Sequence, residues 1–141
     1  MPSPILAPVI ALVLWTFVMG VWLYATRIPA LKKHQVIYDP QRPSEEFHAQ
    51  LPADVRWKAD NHNNLLEQPT LFYAVALTLA FLGAGSGLNA GLAWAYVAAR
   101  IAHSLVHALI NKVIIRFALY AAASLILLVM TIRAAWIVFL A

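Results

Sequence analysis

No cysteine occurs in the chain, which excludes a disulfide framework, a thiolate metal site and a cysteine nucleophile. Charge is scarce as well: only 11% of residues are Asp, Glu, Lys or Arg, where a soluble domain carries roughly a quarter. Acids are scarcer than bases, six against ten, and none follows Glu67. Low-complexity tracts and repeats of 20–50 residues are missing too. What fills the chain instead is apolar side chain, 62% of 141 residues, with a mean hydropathy of +0.73. A chain this short cannot hide so much apolar surface inside itself, so lipid is the expected solvent. The pI of about 9.7 does not point to nucleic acid, because the bases are scattered around apolar segments. Membrane orientation is the better reading of that charge.

These patterns predict an all-α integral membrane protein, a bundle of four transmembrane helices forming one domain over residues 1–141. The first uncharged run, Ile5 to Thr26, is roughly 33 Å long as a helix, enough to span. It is expected to be a span and not a cleaved signal, since "MPSP" lacks a basic leader. A second span is expected from Asp60 to Gly83, ended by the glycine-rich turn "GAGSGLNAG". A third is expected over 90–111 and a fourth over 115–141. The long connection, residues 27–59, is polar, and Pro29, Pro40, Pro43 and Pro52 disfavour a long helix there. It carries six bases, and Lys112 and Arg116 lie on the same side of the membrane, while the turn after span two is uncharged. The positive-inside bias therefore puts both connections in the cytoplasm and both termini outside.

Inside the spans, the few polar residues fall on stripes. A 3.6-residue period gathers Asp60, Asn63, Asn64 and Glu67 on one face of span two. Span three gathers Tyr96, Arg100, His103, His107 and Asn111, and Arg116 and Tyr120 share a face of span four. All three stripes lie at the cytoplasmic ends. Two structural readings compete with a functional one: Lys112 and Arg133 as snorkelling or structural groups, and Glu67 as a neutralising partner for Arg100. Yet Arg100, Lys112 and Arg116 face one acid, and a buried cation costs roughly 2.5–3.5 kcal/mol at the bilayer centre. A cavity that opens to the cytoplasm and receives an anion fits this surplus better. His103 and His107 have the spacing of a helical metal pair. With no further ligand in the pattern and cations nearby, no metal site is expected.

The segments "NHNNLLEQP" and "ARIAHSLVHALINKVIIRFALY" resemble the membrane-associated proteins in eicosanoid and glutathione metabolism, the MAPEG family. That family includes microsomal glutathione transferases, microsomal prostaglandin E synthase and leukotriene C synthase. The resemblance covers nearly the whole chain and is concentrated in spans two to four. It implies a homotrimer with glutathione as co-substrate in a groove between subunits. By the same resemblance Asn64 and Glu67 match the family's amide and carboxylate that hold glutathione. Arg100 and His103 match the ion-pairing arginine and the histidine of span three. Arg116 matches the arginine near the thiol, Tyr120 the tyrosine one turn on, and Arg27 the basic residue that ends span one. The implied catalytic pair is Arg116 and Tyr120, with Arg27, Asn64, Glu67, Arg100, His103 and His107 in binding.

Three positions depart from the family pattern. His107 stands where prostaglandin synthase-like members have a tyrosine, Asn63 where many have an arginine, and Phe117 where a small hydroxyl residue is found. A prostaglandin-type isomerase is the reading these changes weaken most. The expected activity is conjugation or reduction of lipophilic electrophiles such as lipid hydroperoxides, by glutathione or another anionic thiol. The alternative is a non-enzymatic lipid-binding or scaffold member. The expected membrane is a bacterial inner membrane with the site facing the cytoplasm; the endoplasmic reticulum is the other candidate.

Overall fold

Proline sets where several helices begin. In the computed structural model, which describes residues 1–140, Pro43 and Pro52 sit at the N-caps of α2 (Ser44–Ala49) and α3 (Ala53–Glu67). Pro69 opens α4 (Pro69–Phe81). A proline at a helix start loses no hydrogen bond, because the first N–H groups have no intrahelical partner, and its φ is already helical. The remaining elements are α1 (Leu6–Lys33), α5 (Leu88–Leu109) and α6 (Val113–Leu140). Among the described residues there is no strand.

The long connection is more helical than the sequence suggests. Pro29 lies inside α1, which runs on past the expected end of the first span to Lys33. Lys32 and Lys33 in its last turn favour the negative end of the helix dipole. A small apolar cluster of Ala30, Leu51 and Val55 fastens that extension to the connection. Tertiary packing here outweighs the local penalty of one proline. Likewise α3 starts at Ala53, before the expected start of span two at Asp60. Its join to α4 keeps helical dihedrals at Gln68 (φ −57°, ψ −38°), so only the hydrogen-bond ladder is interrupted there. The cause is the N–H missing from Pro69.

α5 and α6 make the most extensive helix contact, and α1 packs on α3, α4 and α5. The shared core includes Leu12, Met19, Leu65, Phe72, Tyr96 and Met130. Ala93, Ala123 and Ala134 are buried with them, small enough to let helix backbones approach closely. α1 and α6, 28 residues each, are long and apolar enough to cross a membrane by length and composition. Only 28% and 17% of their most apolar windows are buried. The core helix of a soluble protein would be covered, whereas these present Phe17, Val21, Ile114 and Phe139 outward.

Two turns fix the ends of the bundle. Between α4 and α5, Gly83 and Gly87 have φ of +71° and +56°, and the N–H of Ile5 donates to the Gly85 carbonyl at 2.9 Å. This places the start of α1 beside that turn. Between α5 and α6, Asn111 takes a left-handed φ of +52°, a conformation asparagine tolerates better than most residues. The bundle thus has a loop end, where α1 finishes and α6 begins, and an opposite end.

Candidate functional site

Arg100 is the largest fully buried side chain of the protein, with no exposed surface. Its Nη2 donates to the Asn64 side-chain oxygen at 2.7 Å and to the Asn64 carbonyl at 3.1 Å. The guanidinium also lies 5.7 Å from the centre of the Tyr120 ring, within cation–π range. Nε and Nη1 of Arg100 are buried without an acceptor. No carboxylate lies within ion-pair distance of this group: both ion pairs among the described residues join Arg42 to Asp39 and Glu46 in the connection. Glu67 is exposed, so it does not form the neutralising pair with Arg100 that a purely structural reading requires.

Beside this group opens a cleft of about 240 Å³, lined by Asn64, His103, Val113, Arg116, Phe117 and Tyr120. Arg116 is half-buried; its Nη1 donates to the Asn111 side-chain oxygen, and its Nε is buried without a partner. The same Asn111 that reverses the chain between α5 and α6 thereby orients the Arg116 guanidinium. His103 bonds through Nδ1 to the Arg116 carbonyl at 3.0 Å, which makes Nδ1 the donor and leaves Nε2 as an unpaired acceptor. The His107 ring stands nearly perpendicular to that of His103, centroids 5.8 Å apart, and its Nδ1 is unpaired. Among the described residues no group of three or more His, Cys, Asp or Glu side chains could hold a metal.

Five of the residues singled out by sequence therefore meet around one hollow: Asn64, His103, Arg116 and Tyr120 line it, and Arg100 backs it through Asn64 and Tyr120. His107 joins them through His103. Two others do not. Arg27 turns to α2, with Nη2 3.3 Å from Nδ1 of His48 and the guanidinium 5.4 Å from the Phe47 ring centre. Glu67, with Asp60 and Asn63, points outward from the chain. The polar stripe of α3 is thus split: Asn64 turns toward α5, and the rest faces away.

Sequence reasoning missed the neutral groups that hold this region together. Gln68 accepts from the Tyr96 hydroxyl at 3.3 Å and donates to Ser124 at 2.7 Å, and Ser124 donates on to the Tyr120 carbonyl at 2.8 Å. Tyr96 is stacked on Phe72, ring centres 4.4 Å apart. Asn61, fully buried, donates to Ser104 at 2.7 Å. The polar residue beside Pro69 was the available signal for Gln68, since a neutral amide at a break in a helix ladder has local backbone groups to satisfy.

A second and larger hollow, about 520 Å³, runs between α1 and the α3–α4 pair. Its walls are mostly apolar, among them Phe17, Val21, Leu65 and Leu66, with polar groups from Thr16, Tyr24, His62, Thr70 and Tyr73. Gly20 leaves room for His62: a β-carbon there would lie 3.3 Å from the ring Nε2.

A chain all-helical over its described residues, with outward apolar helices and a cationic cleft at one end, belongs to the class of integral membrane proteins with a polar site. The MAPEG family model matches residues 5–136, and the chain belongs to that family, membrane proteins of eicosanoid and glutathione metabolism. Among curated proteins and among solved structures, none matches the chain.

Proposed function

We propose that the protein is a glutathione transferase of peroxidase-like range, a four-span membrane enzyme that activates the glutathione thiol for attack on lipophilic electrophiles. The observation that carries this reading is a hollow lined by the Arg116 guanidinium and backed by that of Arg100, each with a buried N–H donor left unpaired, and with no carboxylate in its wall. Such a site favours an anionic guest that brings its own acceptors. Glutathione carries two carboxylates and one ammonium group, and its thiolate adds a further negative charge. A thiol with a pKa near 8.5 is mostly protonated at neutral pH, and an adjacent guanidinium lowers that value. Arg116 is the group assigned to the thiolate, with the Tyr120 hydroxyl as hydrogen-bond helper. Arg100, fully buried behind Asn64, adds its charge to the attraction for a carboxylate, and His103 joins the polar wall with His107 behind it.

The outward direction of Glu67 supports a homotrimer. An acidic side chain on a membrane helix, exposed in the single chain, is costly against lipid and acceptable against a partner subunit or a watery groove. In the trimer Glu67 accepts from the ammonium group of glutathione in a groove between subunits. The site opens toward the cytoplasm, by the excess of Lys and Arg in the connection. In the conjugation step the thiolate sulfur bonds to the electrophilic carbon and the leaving group departs as an anion.

The large apolar hollow beside α1 favours one second reading, a lipid-binding member without catalysis. Mixing the purified protein with glutathione and a chlorodinitrobenzene electrophile separates the two. The transferase reading expects thiolate absorbance on glutathione binding and steady formation of the conjugate. Neither signal, with glutathione saturating in calorimetric titration, would leave the lipid-binding reading in its place. Titration of other low-molecular-weight thiols identifies the anionic thiol.

A further inference from the structure

At the end of the bundle opposite the site, one cation has no acidic side chain as counter-charge among the described residues. Arg133 lies on α6 roughly 25 Å beyond Arg116 by helical rise, close to the thickness of the hydrocarbon layer. Its neighbours confirm which end this is. Arg133 Nε donates to the Asn89 side-chain oxygen at 2.6 Å, and Asn89 sits in the first turn of α5 beside the glycine turn that holds Ile5.

Two features make this more than a side chain reaching for water. Asn89 is buried, and its own amide nitrogen donates to the Ala84 carbonyl at 2.8 Å, so its oxygen is fixed toward Arg133. The guanidinium is therefore held by one edge while its terminal nitrogens stay open. Arg133 borders a cleft of about 370 Å³ whose other walls are Ile132, Trp136 and Ile137. The second feature is charge. Every acidic side chain in the sequence lies between Asp39 and Glu67, within or bordering the connection at the loop end. No acidic side chain is present near Arg133 to pair with it, and Asn89 orients the cation without neutralising it.

We infer that Arg133, positioned by Asn89, forms with Trp136 a binding site for the headgroup of an anionic phospholipid in the leaflet opposite the loop end. A guanidinium presents paired N–H donors that match phosphate oxygens, and tryptophan is at home at the level of the headgroups. Ile132 and Ile137 give the first acyl carbons an apolar wall. A net negative lipid fits better than a zwitterionic one, because no acidic side chain among the described residues at this end is placed to receive its ammonium group. The inference needs a membrane protein and does not depend on which thiol, if any, the other end binds.

Native mass spectrometry of the full chain, extracted from vesicles of phosphatidylglycerol and phosphatidylcholine, tests this site. The wild type should retain phosphatidylglycerol in preference. Arg133→Gln should weaken its apparent affinity about tenfold, the scale of a lost charge-assisted contact. Asn89→Ala, which keeps the charge, should weaken it severalfold, and Lys112→Gln, which removes an exposed charge at the loop end, should not. Equal retention of the two lipids by the wild type would overturn the inference without recourse to any variant. So would full affinity in Asn89→Ala, since a freely snorkelling arginine needs no amide. Displacement of the lipid by millimolar inorganic phosphate would assign the site to a free anion and overturn it as well.

Discussion

The two ends of the bundle handle arginine in the same way and to different effect. Each arginine of α5 and α6 is held by an asparagine side chain: Arg100 by Asn64, Arg116 by Asn111 and Arg133 by Asn89. An amide oxygen fixes the direction of a guanidinium and leaves its charge intact. At the loop end Arg116 and His103 line a hollow that Arg100 backs through Asn64 and Tyr120, with His107 behind His103; at the opposite end a single cation borders a cleft with no second cation in its wall. Under the functions proposed for the two ends, a second cation nearby is what separates a site that alters a thiol from one that holds a headgroup. A lone cation attracts an anion, whereas two neighbouring cations also favour the ionised form of a titratable guest more strongly.

The comparison breaks first at Arg116. Arg116→Ala should lower kcat about a hundredfold or more, the size typical of a lost donor to a developing anion, with a smaller change in KM for glutathione. Steady-state kinetics over both substrates would show it, and unchanged kinetics would remove Arg116 from its assigned role. Next comes Asn64→Ala, which strips Arg100 Nη2 of its side-chain acceptor inside the bundle. Stability should fall by about 2 kcal/mol, since a buried donor left unsatisfied costs about 1–3 kcal/mol, read as a lower unfolding midpoint in detergent. A midpoint equal to wild type would mean that water reaches Arg100.

Gly85→Ala probes the opposite end by packing alone. A β-carbon there would collide with the Ser3 hydroxyl and lie 2.6 Å from Ile5 Cγ2, so the start of α1 must shift. A loss of roughly 1–2 kcal/mol is expected from overpacking, with glutathione turnover retained. The smallest effect on stability belongs to Glu67→Gln. Because Glu67 makes no ion pair within the chain, the unfolding midpoint should stay within about 0.5 kcal/mol of wild type, as for ordinary surface changes. KM for glutathione should rise severalfold. A large drop in stability with unchanged KM would make Glu67 a subunit-contact residue and not a ligand contact.

Much of this was legible in the chain itself. Long uncharged runs separated by a glycine turn and a polar connection mark helices in lipid, and a 3.6-residue count places Arg100, His103 and His107 on one face. The count has a limit. It states which residues of one helix look the same way and is silent on what they look at. Asn64 and Glu67 share a stripe in sequence, yet one turns inward to Arg100 and the other faces away. The contacts of Gln68, Ser124, Asn61 and Ser104 carried no charge signal, so their pairing across helices was hidden. Prolines misled in the connection, where three of them open helices or lie within one and only the apolar cluster around Leu51 explains why α1 continues.

Composition and periodicity alone determined the solvent, the helical class and the depth at which ionisable groups gather, because those follow from transfer free energies and the geometry of one helix. Tertiary structure decided which guanidinium meets which amide, that Arg100 has no carboxylate, and that Arg133 is held in place. Those are relations between helices far apart in sequence, and close packing selects one arrangement among several that the same stripes allow.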